Sequence, residues 1–417
     1  MGRASGAICA VLAVAPCAVS TAYGQTIESR WQALVNTEAR YFTWTSSRPY
    51  PASAAATASS GSQLYLPLAF QLVGRPTDNY RVEFLLRSAY VRSQQSGALT
   101  GTFSGTTDTT FSTTVTYYGW AGIQPFVSLN LNIPTGTSAT PGITGNAKSD
   151  SDIVQLPAFG EGWNIGPSIG ANIPLNESTV VSIGVGYTSR GAFNRESQPD
   201  PNNGNAQTLN KLNPGDVTTI TGSIGWRGER LSLKGSAAYS FETVTTIDGL
   251  AFYQAGDRII LTGAAGYAWT EMWSSRAQVT FSHSEKNKVR LTGLPDLVVE
   301  AFNSNSNVIR VAFDTTYATE RYSIGPVAGY VYRDNNSWDP TTYQFLPAKT
   351  SWSAGVAAAY AVAQAARVTA RVERIWVHEN DSPQKILIGL PVAGSAVPAT
   401  VTDAWQFSIA GIFRLGG

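Results

Sequence analysis

The feature that most constrains this chain is a strand periodicity that runs for ten or more residues at a time and recurs from one end to the other. Leu64, Leu66, Leu68, Phe70 and Leu72 fall on one face, and Val127, Leu129, Leu131 and Ile133 alternate with Ser128, Asn130 and Asn132. The same period of two returns over residues 231–242, 258–269, 309–317 and 367–376. Successive strand side chains point to opposite faces, so each segment offers one apolar face and one face of Ser, Thr, Gly, Asn and scattered charge. Strands of soluble sheets usually run about five or six residues, whereas a tilted strand crossing a bilayer needs about nine to eleven. In hydrocarbon every backbone group must be paired internally, and strands achieve that only by closing into a barrel.

The connections carry equal information. Short turns are expected near 74–79, 119–123, 174–178, 227–230, 270–272, 320–321 and 363–366, and long polar segments near 48–61, 95–108, 134–162, 191–214, 244–255, 287–306, 335–349 and 380–401. This spacing predicts an all-β fold: a single closed antiparallel transmembrane β-barrel of about sixteen strands, with short periplasmic turns and long extracellular loops. An exported β-solenoid or propeller would share the alternation. Interfacial girdles, however, explain the aromatic residues near strand ends, among them Trp120, Trp163, Tyr187, Trp226, Tyr239, Trp269, Trp273, Tyr317, Tyr330, Trp352, Tyr360 and Trp376. Residues 354–377 are alanine-rich, which favours a helix by propensity, but their alternation and the turn at 363–366 assign them to a hairpin.

Composition narrows the classes further. Only 14% of the 417 residues are charged, against about 25% in globular proteins. Lys+Arg 29 against Asp+Glu 28 leaves no basic excess for nucleic acid. The 39 Gly and 21 Pro disfavour a helical chain, and no apolar run reaches the roughly 20 residues of a membrane helix. Arg3, the apolar run 7–19 and Ala22-Tyr23-Gly24 read as a signal peptide over 1–24, leaving 25–417 as the barrel. Cys9 and Cys17 both lie within that signal, and Pro16 argues against a lipidated Cys17. With His283 and His378 as the only histidines and no cysteine in the mature chain, neither a metal site nor a cofactor is expected.

The last apolar–polar segment, Trp405-Gln406-Phe407-Ser408-Ile409-Ala410-Gly411-Ile412-Phe413, resembles the C-terminal signal read by the assembly machinery of Gram-negative outer-membrane β-barrel proteins, although Arg414-Leu415-Gly416-Gly417 extends past the aromatic. The resemblance implies the outer membrane of a Gram-negative bacterium, with its lipids and lipopolysaccharide and the barrel-assembly machinery as partners. Gln124-Pro125-Phe126-Val127-Ser128-Leu129-Asn130-Leu131-Asn132-Ile133-Pro134-Thr135-Gly136 resembles a hairpin of the hydrocarbon and fatty-acid uptake barrels. No motif names a substrate.

Ser282-His283-Ser284-Glu285 would suit a hydrolase like the outer-membrane phospholipases, yet alternation puts His283 on the face opposite Ser282 and Ser284, so no catalysis is expected. His378, just past Trp376, reads likewise. With the apolar faces outward, the inward set holds Glu38, Arg40, Arg81, Glu83, Arg87, Lys234, Glu242, Arg258, Arg276, Arg310, Asp314, Arg367, Arg371 and Glu373. Such charges either pair across the sheet to stiffen the wall or line a wet pore. The third long segment, 134–162, carries Lys148, Asp150, Asp152 and Glu161. In the general porins that this architecture resembles, the third loop folds inward to narrow the channel; a mobile surface loop is the alternative. The expectation is a channel for passive diffusion of small polar or weakly anionic solutes. The alternatives are a plugged uptake channel for hydrophobic compounds and a closed-lumen adhesion or scaffold barrel.

Overall fold

A computed structural model of the protein describes residues 31–47, 59–97, 100–136, 160–196, 209–291, 293–294, 296–387, 390–391 and 396–415. The expected signal peptide lies outside them. Sixteen strands form the wall: β1 (Trp31–Ser46), β2 (Ser59–Thr77), β3 (Tyr80–Ser96), β4 (Thr109–Tyr117), β5 (Gln124–Ile133), β6 (Asn164–Pro174), β7 (Thr179–Arg190), β8 (Val217–Arg227), β9 (Leu231–Glu242), β10 (Arg258–Ala268), β11 (Trp273–Ser284), β12 (Val308–Ala318), β13 (Tyr322–Arg333), β14 (Lys349–Ala363), β15 (Ala366–Glu379) and β16 (Thr400–Leu415). Each pairs antiparallel with its neighbours in sequence, and β16 pairs with β1 from Leu415↔Ala33 to Thr402↔Ser46, so the sheet closes. The alanine-rich stretch is the β14–β15 hairpin, as its alternation predicts.

The outer face is apolar. Leu68, Val127, Ile169, Ile183, Ile220, Val356 and Ile409 are among the large hydrophobic residues that stand exposed on it. Around the short-turn rim the aromatic rings touch one another, Tyr80 with Tyr117, Tyr117 with Trp120, Tyr267 with Trp269, and Trp273 with Tyr317. On β13 and β14 a second aromatic tier, Tyr330 against Trp352, stands eight residues from Tyr322 and Tyr360 in the first. Eight strand residues span about 27 Å; at a tilt of about 40° that is about 20 Å along the axis, close to the apolar band of about 25 Å in membrane barrels. The fold is therefore built to stand in hydrocarbon.

Local chemistry sets the turns. At 270–272 and 319–321 a threonine hydroxyl accepts from the backbone N–H that opens the next strand, Thr270 from Trp273 at 3.0 Å and Thr319 from Tyr322 at 3.2 Å. The tip of the hairpin Thr245–Ile247/Leu250–Gln254 is Asp248-Gly249, with φ of 49° and 81°. Both lie in the left-handed region that a two-residue hairpin of this hand requires.

Several of the long segments, expected as loops, hold strands of their own among the described residues. Three consecutive hairpins continue beyond the wall and join into a second, six-stranded sheet in the order Leu297–Val299, Lys288–Arg290, Leu250–Gln254, Thr245–Ile247, Leu209–Asn213, Phe193–Glu196. The reason is that these segments are short of apolar alternation but keep backbone groups that pair once the strands below bring them side by side. The 95–108 segment is likewise mostly strand: Gly101–Thr106 pairs with the upper half of β3, then gives way to β4 at a break holding Thr107 and Asp108. Asp108 is 2% exposed and accepts from the backbone N–H groups of Gly136, Gly160 and Glu161 at 2.9, 2.6 and 2.9 Å and from Asn132 Nδ2 at 2.9 Å. One carboxylate thus joins the two ends of the 137–159 segment to the wall.

Candidate functional site

The inner wall is the face that each strand turns away from its large exposed hydrophobic residues, and alternation places all fourteen charged candidates on it. Each of the five acids among them is ion-paired. Glu38 and Arg40 (3.0 Å), Arg81 and Glu83 (2.7 Å), and Arg371 and Glu373 (2.7 Å) lie two apart on one strand, where side chains share a face. Arg276 and Asp314 (3.1 Å) are directly opposite across β11 and β12, and Glu242 of β9 pairs with Arg190 of β7. Arg258 Nε donates to Ser282 Oγ at 3.0 Å and Arg367 to Ser323 Oγ at 2.8 Å, while Arg40, paired with Glu38, also lies 5.7 Å from the Tyr65 ring centre. Arg87, Lys234 and Arg310 take no ion pair among the described residues.

Solvent access differs along the axis. The Arg276 side chain is 71% exposed although it faces inward, so water reaches the wall towards the short-turn end. Towards the long-loop end Phe42, Ile375, Val377 and Ala404 form a packed inward cluster against Trp44, and Val91 and Phe103 form another against Tyr65. Small residues, Gly166, Ser168, Gly170, Ser182, Gly184 and Gly186, face inward on β6 and β7. Phe126 of β5 lies over Gly170, where a Cβ would stand 2.4 Å from its ring.

At the long-loop rim the described residues add four inward charges to the expected set: Arg190, Arg333, Lys349 and Glu379. Each is the terminal residue of its strand at the long-loop rim, two positions beyond an inward residue, so extending the alternation by one step would have reached them. Glu161 sits between Asp108 and Arg190 at the base of the third long segment; burial first, then the Asp108 charge, push its carboxyl above the usual glutamate range, with Arg190 opposing. Lys148, Asp150 and Asp152 lie outside the described residues. His283 faces outward, its Nδ1 2.6 Å from Asn307 Oδ1, and Ser282 and Ser284 face the lumen; the three do not converge. His378 is outward as well.

A closed antiparallel barrel with an apolar exterior, aromatic tiers and a charged interior is a transmembrane β-barrel. No family model matches the chain, and no curated protein sequence matches it. Among solved structures it is similar to a Pseudomonas aeruginosa FadL homologue (8% identity over 92% of this chain and 90% of that one, TM-score 0.42). It is similar also to Pseudomonas aeruginosa OccK7 (8% identity, 92% and 100%, TM-score 0.41), and to an outer membrane channel from Pseudomonas putida F1 (14% identity, 61% and 88%, TM-score 0.39).

Proposed function

We propose that this protein is an outer-membrane channel of a Gram-negative bacterium that passes small polar solutes by diffusion and favours anions. A barrel of sixteen strands is wide enough to leave an aqueous path. The observation that carries the anion preference is the pairing pattern: each of the five acids among the fourteen wall charges is paired with a cation, which leaves the wall potential to cations such as Arg87, Lys234, Arg310 and Arg367. A wall of one sign raises the local concentration of the opposite ion. In this reading the C-terminal strand β16 is what the barrel-assembly machinery engages, and lipopolysaccharide surrounds the outer tier of rings.

Reversal potentials across a planar bilayer under a KCl gradient test the proposal. The parent protein should conduct with chloride favoured. Replacing Arg367 and Arg371 with Gln should move selectivity towards potassium, because the second change also uncovers Glu373. Absence of conductance from a folded barrel would favour the closed-lumen reading instead.

A further inference from the structure

Where the upper sheet leaves the wall, the break between them holds a groove. Its lower lip carries Asp257 and Glu285, the residues just beyond β10 and β11. Its upper lip is the row Gln254, Lys288 and Val299, which stand directly opposite one another in the upper sheet. Lys286 lies between the two lips. The groove opens on the outer side of the barrel, because Asp257 at its floor accepts from the hydroxyl of Tyr239, whose ring stands exposed on the lipid-facing side of β9. Tyrosine rings with one apolar and one wet end mark the boundary between membrane and water, so the groove begins where the hydrocarbon ends. Its volume is about 560 Å³, within the range of roughly 300–1,000 Å³ over which small-molecule pockets run.

The lining holds more polar capacity than the fold uses. Lys288 and Glu285 are exposed, and their side chains take no ion pair or hydrogen bond among the described residues. Lys286 directs one of its three donors to the Ala301 carbonyl at 2.8 Å, and Gln254 directs its amide nitrogen to the Glu242 carbonyl at 2.8 Å, which leaves its oxygen to the groove. Two ammonium groups with open donors suit an anion, and a carboxylate and an amide oxygen beside them suit hydroxyl donors. A phosphorylated sugar offers both on one compact group, whereas a bare phosphate leaves Glu285 facing a like charge and a neutral sugar leaves the lysines unanswered. We propose that the groove docks the phosphorylated sugar headgroup of an outer-leaflet lipopolysaccharide, its phosphate on Lys286 and Lys288 and its hydroxyls on Glu285 and Gln254. Val299, 58% exposed on the upper lip, meets the C–H face of the sugar ring. The inference rests on the outer-membrane placement in the channel reading and names where the surrounding glycolipid is held.

Native mass spectrometry of the full barrel in detergent, titrated with a lipopolysaccharide truncated to its phosphorylated inner sugars, tests the site. The parent should hold one molecule per chain. Lys286→Gln combined with Lys288→Gln should weaken that binding by about tenfold or more, the worth of lost charge-assisted hydrogen bonds, and Glu285→Ala should weaken it by about threefold. Lys211→Gln, an exposed lysine of the same sheet away from the groove, should leave it unchanged, and a gel shift between unheated and boiled samples reports that each variant is folded. Phosphatidic acid, a phosphate without a sugar, should bind about tenfold more weakly than the glycolipid. Equal binding of the two lipids, or parent-like binding of the glycolipid by the folded double-lysine variant, overturns the proposal. So does a dimer of the parent that the same double variant abolishes, since the groove would then hold a second copy of the chain. A barrel that conducts without holding the glycolipid loses the site but keeps the channel. One that holds it but does not conduct keeps the site and loses the channel.

Discussion

Asp108, at the break before β4, gathers four hydrogen-bond donors on one side chain. A buried carboxylate is tolerated when its oxygens are fully engaged, and its four donors come from the two ends of one long segment and from β5. Asp108→Ala should lower stability by about 3 kcal/mol, since three backbone N–H groups lose their acceptor together. The loss would be read as a lower temperature at which the compact form disappears from unboiled gel samples. Glu161, alongside, has its folded-state pKa raised. Its contribution is therefore fully present below the ordinary glutamate value and is lost as pH rises through the folded one. Glu161→Gln should flatten that part of the stability–pH curve and gain stability at neutral pH; an unchanged curve would mean that the carboxyl is solvated.

At the level of elements, a repeated device fixes where strands begin. Asp216 and Asp257, each preceded by glycine and followed by a descending strand, accept from the hydroxyls of Tyr187 and Tyr239 on the outer face of the preceding strand, and Asn307 meets His283 in the same way. Tyr239→Phe should lower the urea midpoint, and an unchanged midpoint would mean that water replaces the hydroxyl's bond to Asp257 at no loss. The two Gly-Asp pairs carry no apolar signal that the sequence analysis could use, and their tyrosine partners follow only from the register. The wall itself was legible throughout, because one face of every strand must satisfy lipid and the pattern at Leu64 to Leu72 has no other use. The upper sheet was not, because its pairing follows from which hairpins the barrel sets side by side rather than from any apolar face. Its position is open to a direct check: Leu250→Cys, 59% exposed at the tip of the middle hairpin, should react with an impermeant thiol reagent on whole cells, and Asn176→Cys at a short turn should not. The reverse pattern would invert the topology.

For the whole molecule, closure is the decisive property. A closed wall leaves no strand edge to lipid or to another sheet, so the unheated protein should migrate differently from the boiled one on a denaturing gel; identical mobility would argue against a barrel that resists detergent. The candidate site shows the same dependence on the whole. Charges such as Arg371 and Glu373 were assignable from alternation alone. The partnership of Arg190 with Glu242, two strands away, existed only once curvature brought their side chains together. The join between β1 and β16 has a consequence in time rather than in space. Thr402 donates to Ser46 at 2.8 Å across a gap of 356 residues in sequence, so the final contact is also among the most distant along the chain. Contacts of that separation form late and slowly. Until then β1 has one satisfied side and one raw one, and the ribosome has to add 356 residues beyond Ser46 before its partner Thr402 exists. Guarding a single unpaired strand through that wait is the task this topology sets for whatever escorts the newborn chain.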